Sequence, residues 1–323
     1  MNNKKETIFA LSTPSGKSAL AVIRISGLLA YKTIEEISSN MPKKPSVATF
    51  NNLLSKENEV IDQTITTFFK APKSFTGEDL VEISVHGSNA VIKKTLQTLS
   101  EKKDVRPANP GEFTLRAFEN NKLDLTQVEA IADIVDSETE MQRKQAIKQL
   151  SGTFYKSTRS MFDSLKKILA DIEATIDFVD EELPEDLLYK NKEQIKNIIY
   201  KIKELLSNSS SGVSIRQGFL VPILGKPNTG KSSFINNISG RDIAIVTDLP
   251  GTTRDTIESF LDVGGMPIKF LDTAGIRDSK DLVEKIGIKK ALSASKNSDL
   301  NIVFVESIDD LKYFKSIKNP IFV

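Results

Sequence analysis

The densest run of chemistry-bearing residues is Gly225-Lys226-Pro227-Asn228-Thr229-Gly230-Lys231-Ser232, which fits GxxxxGK(S/T). It follows an apolar strand-like segment, FLVPIL at 219–224, and opens a helix-like one, the context that pattern requires. Glycines at its two ends let backbone wrap an anion and turn N–H groups inward. A helix starting near Lys231 presents the positive end of its dipole to phosphate. In such a cradle, built from Asn228, Thr229, Gly230, Lys231, Ser232 and Ser233, Lys231 reaches the terminal phosphates of a nucleotide and the Ser232 hydroxyl ligates Mg²⁺. Lys231 is therefore a candidate catalytic residue as well as a binding one. Pro222 sits in the strand and removes a ladder donor, which predicts a local irregularity there.

Two further segments fit the same chemistry. The apolar run KFL at 269–271 ends in Asp272-Thr273-Ala274-Gly275. A carboxylate at that strand end is placed for a second, water-mediated Mg²⁺ contact, and Gly275 lets backbone approach the terminal phosphate. Between the two motifs lies Pro250-Gly251-Thr252-Thr253-Arg254-Asp255. A hydroxyl there, Thr253 for Mg²⁺, would bind only when the terminal phosphate is present, which would make the loop a switch. Taken alone, the same residues read more readily as a turn before a strand.

These residues need a parallel α/β sheet to hold them, and the alternating apolar runs from about Val213 onward supply one. Ahead of it, SNSSSG at 207–212 reads as a flexible linker. The stretch 125–207 is nearly free of Gly and Pro and repeats apolar residues at helical spacing. Val128, Ile131, Ala132 and Val135 form one stripe, Leu165, Ile168 and Leu169 another, and Ile195, Ile198, Ile202 and Leu205 a third. They are expected to be helix–helix core, with a break at Leu183-Pro184. The first 122 residues mix strand-like runs (7–11, 19–25, 61–69, 79–85) with helical patterns (30–37, 90–99), an α+β arrangement.

Composition limits the alternatives. A chain of 323 residues has room for two or three cores. It has no apolar run near the length of a membrane span and a polar start, so neither a membrane span nor a signal peptide is expected. Cys is absent, which excludes disulfides and thiolate metal sites and fits a reducing cytoplasm. Formal net charge is +1, so nothing in the total marks a polyanion binder. The single histidine, His86, has no ligand cluster around it in sequence and is expected to be structural.

GxPNxGKS, GTTRD and DTAG together resemble the Era-like branch of the translation-factor class of GTPases. Other segments lie outside that module: LAVIRISG at 20–27, SFTGED at 74–79, PGEFTLRAF at 110–118 and KLDL at 122–125. With them, essentially the whole chain resembles the MnmE (TrmE) family of tRNA-modification GTPases. The resemblance implies an α+β folate-binding-like and dimerising domain at 1–122, the first half of an α-helical domain at 123–212, and a P-loop GTPase domain at 213–323. It implies homodimerisation through the N-terminal domain and a heterotetramer with an FAD-dependent MnmG-type subunit, acting in the cytoplasm. The implied reaction places a carboxymethylaminomethyl or aminomethyl group on C5 of the wobble uridine of tRNA. 5-Formyl-tetrahydrofolate or a related folate supplies the carbon. GTP, Mg²⁺ and K⁺ are the implied ligands of the GTPase domain.

By motif, the resemblance assigns Arg24, Glu82 and Lys122 to folate. Arg and Lys can pair the folate carboxylates, and Glu82 can accept from the pterin N–H edge. Without the resemblance, all three read as surface charges. Asn228 matches the potassium ligand of the family, and the loop Thr247, Asp248, Leu249, Pro250, Gly251 and Thr252 matches the one that adds oxygens from Thr247, Leu249 and Thr252. Asn228 alone reads also as a turn residue. Ile276 stands where Ras-like enzymes place a water-orienting Gln, and Glu284 matches the family's replacement; alone it reads as an exposed helix-start glutamate.

The resemblance stops short of the guanine-reading NKxD segment, which would follow the strand that ends at Val323. The expectation is therefore a fragment that binds GTP weakly and hydrolyses it poorly. The same residues leave two other readings open: an Era-like ribosome-assembly switch, or a non-catalytic folate-binding dimer module.

Overall fold

The structure, a computed structural model, describes residues 6–177, 186–225, 229–239, 244–245, 258–272, 295–296, 298–314 and 317–323. The chain divides into two units, Met1–Val128 and Glu129–Val323.

The first unit is built on β1 (Thr7–Leu11), β2 (Ser18–Ser26), β3 (Ala48–Leu54), β4 (Val60–Phe69), β5 (Leu80–Gly87) and β6 (Val105–Pro107). They form one sheet in the order β3-β4-β5-β2-β1-β6, antiparallel except for the parallel pair β1–β6. Helices α1 (Ala30–Glu35), α2 (Asn89–Ser100) and α3 (Glu112–Glu119) accompany it. Alternation along β2 and β5 decides which face does what. Ala21, Ile23 and Ile25, with Val81, Ile83 and Val85, are buried in a core shared with Ile34, Ile92 and Leu99. The intervening residues Arg24 and Glu82 lie on the other face, directly opposite one another. Burying each large aliphatic side chain contributes about 1.5–3 kcal/mol. A slip by one residue would put this set in water and Arg24 and Glu82 in the core, so the register is strongly specified. The expected strands and helices of this region are present, with ends moved by one or two residues. The edge strand β3 went unpredicted because ATFNNLL lacks a clean alternation, and Phe50 on it is exposed.

Helix α4 (Leu125–Val135) crosses the division. Asp124 starts it, accepting from Gln127 N at 3.0 Å while Gln127 Oε1 accepts from Asp124 N at 3.0 Å. The second unit continues with α5 (Glu140–Leu150), α6 (Thr153–Asp177) and α7 (Leu187–Gln217). Helix α5 opens on a capping box between Thr139 and Gln142. The break expected at Leu183-Pro184 lies outside the described residues. The linker expected at 207–212 is instead part of α7. Its serines are compatible with helix because Ser207 and Ser209 return their hydroxyls to the carbonyls of Glu204 (2.8 Å) and Leu206 (2.7 Å). Gln145 of α5 also holds Gly212 O at 3.0 Å. The apolar stripes are only partly core. Ile168 and Ile198 are buried, whereas Leu165, Leu169, Ile202, Leu205 and Val135 are exposed. The stripes are wider than the surface that α5, α6 and α7 cover on one another.

The sheet of this unit comprises β7 (Phe219–Gly225), β8 (Ala244–Ile245), β9 (Glu258–Val263), β10 (Met266–Asp272), β11 (Asn301–Phe304) and β12 (Pro320–Phe322), in the order β12-β11-β7-β10-β9-β8. It is mixed, not wholly parallel as expected: β12, β11, β7 and β10 are parallel, β9 and β8 antiparallel. The two-glycine turn Gly264-Gly265 explains the difference, since it closes β9 and β10 into a hairpin. Pro222 causes no break in register, for it pairs opposite Leu271 in an unbroken β7–β10 ladder. Leu220 N and O both face Asp299, so Pro222, two residues on, turns its missing N–H to the same side. That is just ahead of where β11 begins to pair, at Ile223.

Candidate functional site

Strand β7 lies between β11 and β10 with Val221, Ile223 and Leu224 buried. It delivers Gly225 to the mouth of the loop, and helix α8 (Lys231–Ser239) leaves from the far end. Both corners need glycine: φ is 144° at Gly225 and 90° at Gly230. A Cβ on Gly225 would stand 2.7 Å from Phe304 O and 2.9 Å from Phe304 Cβ, so backbone packs against backbone there. Phe234 N donates to Gly230 O at 2.9 Å, the first turn of α8. The Phe234 ring packs edge-on against Phe304 at 5.4 Å and Phe270 at 6.4 Å, which fixes the helix on the sheet.

Lys231 is 5% exposed. Its Nζ donates to Gly225 O at 2.9 Å and lies 3.3 Å from Thr229 Oγ1, folding the ammonium back across the loop. A buried cation at a helix N-terminus, beside a loop cornered by two positive-φ glycines, is a donor set that suits an anion. Asp272 closes β10 opposite Ile223, two residues before Gly225, so the end of β10 reaches the same edge of the sheet. Ser232 falls in the first turn of α8, and Ser233 is exposed. Thus Thr229, Gly230, Lys231, Ser232, Ser233 and Asp272 are gathered at one end of the sheet. Asn228, Thr247, Asp248, Leu249, Pro250, Gly251, Thr252, Thr253, Thr273, Ala274, Gly275 and Glu284 lie outside the described residues.

A second constellation belongs to the first unit. Arg24 Nε and Nη2 both donate to Glu82 Oε1, at 2.9 and 2.7 Å. The Arg24 guanidinium lies 5.1 Å from the Phe75 ring centre and 5.7 Å from that of Phe113. Lys122 Nζ donates to Pro72 O at 3.0 Å, in the β4–β5 loop that also carries Phe75. Arg24 and Glu82 are therefore brought together as a pair, and Lys122 joins them only through that loop.

The loop is held from beneath by a buried ionic cluster. Arg116 of α3, almost fully buried, donates to Glu78 at 3.0 Å, to Glu112 at 3.0 Å and to Glu6 O at 2.9 Å. Glu78 also accepts from Ser26 at 2.9 Å, and Ser26 shares a hydrogen bond with Thr76 at 2.7 Å. Arg106 forms two hydrogen bonds to Glu112, at 2.9 and 2.7 Å. That fork, more than the Asn109 N–H or Arg116, pulls the Glu112 carboxyl down to about 2 against the opposing effect of burial. Residue type and spacing alone give Phe75, Phe113 and Arg116 no role. The usable signal is Phe75 inside the Ser- and Gly-containing run SFTGED and Phe113 two residues after Gly111, where no apolar stripe claims an aromatic ring.

His86 Nδ1 lies 2.8 Å from Asp62 Oδ1, and His86 N donates to Asp62 Oδ2 at 2.7 Å, a clasp between β4 and β5. No helix among the described residues is long and apolar enough to cross a membrane.

Strand, glycine-cornered loop, buried lysine and helix together define a P-loop nucleotide-binding protein. Residues 7–122 match the family model for the GTP-binding protein TrmE N-terminus, and residues 125–319 match the model for the MnmE helical domain. A curated relative, the tRNA modification GTPase MnmE of Ehrlichia ruminantium (strain Welgevonden), is 49% identical over 303 residues, covering 93% of this chain and 67% of the relative. The tRNA modification GTPase MnmE of Roseobacter denitrificans is 41% identical over 316 residues, covering 98% of this chain and 73% of that one. A crystal structure of Aquifex aeolicus Era bound to GDP.AlF4- is 26% identical with a TM-score of 0.25, over 32% of this chain and 39% of that one. The chain belongs to the MnmE family of tRNA modification GTPases.

Proposed function

We propose that the protein binds and hydrolyses GTP to drive C5 carboxymethylaminomethyl modification of the wobble uridine of tRNA, with a tetrahydrofolate as carbon donor. The single observation that supports this most is the buried Lys231 ammonium folded over the loop between Gly225 and α8. In this reading residues 1–122 are the folate-binding and dimerising domain, 123–212 the first half of the helical domain, and 213–323 the GTPase domain. The protein works in the cytoplasm as a homodimer with an FAD-dependent subunit.

Within the GTPase domain, Lys231 holds the terminal phosphates. Thr229, Gly230 and Ser233 line the cradle with the neighbouring Asn228. Ser232 and Thr253 would hold Mg²⁺, with Asp272 reaching it through water; Asn228, Thr247, Leu249 and Thr252 would hold K⁺. Bound cations supply charge neutralisation to the transferring phosphoryl group. Glu284 orients the attacking water, and the loops 247–253 and 273–275 answer to the nucleotide state.

In the first unit, Arg24 and Glu82 receive the folate. Their fork is on the solvent side of the sheet and only partly covered, with side chains 25% and 29% exposed. Both Arg24 bonds fall on Glu82 Oε1 and hold the carboxylate in place, so Glu82 can accept from the pterin N–H edge, while the folate carboxylates at the other end of the ligand fall to Lys122. Phe75 and Phe113 present aromatic faces beside it.

A thermal-shift titration with 5-formyl-tetrahydrofolate tests this half of the reading. A ligand at about a hundredfold its Kd stabilises the folded state by about 2.7 kcal/mol, which for a unit of this size raises Tm by roughly 10 °C. Glu82→Gln should abolish most of the shift while leaving the unliganded Tm within a few degrees. A ribosome-assembly switch without folate chemistry would show no shift in either protein.

A further inference from the structure

The loop between β4 and β5 gathers lysines for which nucleotide and pterin recognition have no use. Lys70 and Lys73 close a four-residue turn, with Lys73 N donating to Lys70 O at 2.9 Å. Lys122 reaches into that turn, its Nζ on Pro72 O at 3.0 Å. Two lysines therefore close one turn of backbone and the ammonium of a third rests on it, and all three residues are exposed. None of them forms an ion pair among the described residues, where the lysines paired to carboxylates include Lys102, Lys144, Lys190 and Lys196. The carboxylate that touches the turn is Asp79, which accepts from Ala71 N at 2.9 Å and offsets part of the charge. The other acid of the loop, Glu78, is turned away to Ser26 and Arg116.

This turn is not remote from the folate constellation. Phe75, two residues beyond Lys73, lies against the Arg24 guanidinium. Lys122 itself belongs to the folate set. A ligand that places its ring near Arg24 and Glu82 and a carboxylate near Lys122 points the rest of its tail at Lys70 and Lys73.

We propose that Lys70 and Lys73, continuing from Lys122, form a subsite for the γ-linked glutamate chain of a folyl polyglutamate. The inference rests on the folate reading and names the form of the ligand that the site selects. Each added glutamyl unit brings one carboxylate and no cation. Lysines meet such a chain as flexible point charges, unlike the fixed fork of an arginine, so the subsite accepts carboxylates at variable spacing. Its contribution is exposed and falls as salt screens it. RNA phosphate would feel the same field, but the turn sits on the loop that frames a small-molecule ring, which favours the glutamate chain.

The test compares 5-formyl-tetrahydrofolate carrying one glutamate with the same compound carrying three, by calorimetric titration of the full chain at low salt. An exposed ion pair is worth up to about fivefold in affinity, so two further carboxylates should tighten binding by roughly tenfold. Lys70→Ala combined with Lys73→Ala should erase this gain and leave the monoglutamate affinity unchanged. Lys70→Arg combined with Lys73→Arg should retain it, and salt of about 0.5 M should suppress it in every variant. Equal affinity for the two ligands in the unaltered chain overturns the proposal. So does a gain that survives the double alanine variant, or a double alanine variant that loses tRNA binding while keeping the gain. If neither ligand binds at all, the folate reading itself fails, and this inference goes with it.

Discussion

Replacing Lys231 by methionine keeps the apolar stem and removes the ammonium. In the structure that ammonium donates to Gly225 O at 2.9 Å and lies at the longer distance of 3.3 Å from Thr229 Oγ1. A hydrogen bond from a charged donor contributes about 1.5–3 kcal/mol, and the longer one belongs at the weak end. Exchanging these neutral acceptors for phosphate oxygens roughly doubles the strength of each bond. The net advantage of phosphate over the loop is then about 1.5–3 kcal/mol, and Lys231→Met should weaken Mg²⁺·GTP binding by about 10- to 100-fold. Folded stability should fall by a smaller amount, about 1–2 kcal/mol, because the methionine stem still fills the site. Fluorescence titration with a labelled GTP, beside urea unfolding of the same samples, separates the two effects. A folded variant whose GTP affinity stays within twofold of the parent chain would refute the argument. Lost stability with unchanged affinity would mean that Lys231 serves only to tether the loop.

Two further perturbations check the geometry around these sites. Gly225→Ala combines a φ of 144° with a Cβ 2.7 Å from Phe304 O, whereas a Cβ on Gly230 meets nothing within 4 Å. Gly225→Ala should therefore destabilise by about 2–4 kcal/mol and Gly230→Ala by about 1–2 kcal/mol, measured by urea unfolding; equal costs would contradict the close approach. Glu112, held at about 2 against an ordinary 4.5, stabilises the fold fully above pH 4.5 and loses that contribution as pH falls toward 2. The loss approaches about 3 kcal/mol, and Glu112→Gln should flatten the acid limb of the stability–pH curve between those values.

Much of this architecture was legible because it rests on local chemistry. The strand-loop-helix unit around Lys231 is written in consecutive residues, and the buried alternation of β2 and β5 shows in VIRIS and VEISV. Arg24 and Glu82 were identified from family motifs, but their fork depends on a register between strands far apart in sequence. No local pattern encodes that register. The serine-rich run at the end of α7 misled for a related reason. Serine disfavours isolated helix, yet side-chain return bonds and the grip of Gln145 on Gly212 O outweigh that preference. Pro222 misled because a missing donor matters only on the side where a neighbour is already paired. The clustering of Phe75, Phe113 and Arg116 around the first-unit site comes from where the β4–β5 loop and α3 meet the sheet, which sequence periodicity does not describe.

Asp299 has a consequence that reaches beyond its own turn. One carboxylate oxygen holds Ser214 near the end of α7, the other holds Leu220 N at the start of β7, and Asp299 N returns to Leu220 O. The joint between, Gly218, is the pivot of the corner, with φ at 88°. Helix and strand are thus bracketed on either side of a single pivot, so the heading of β7 is inherited from a rod of about 46 Å. A twist applied along that rod would arrive at Gly225 as a change of aim, where an elastic tether would have absorbed it.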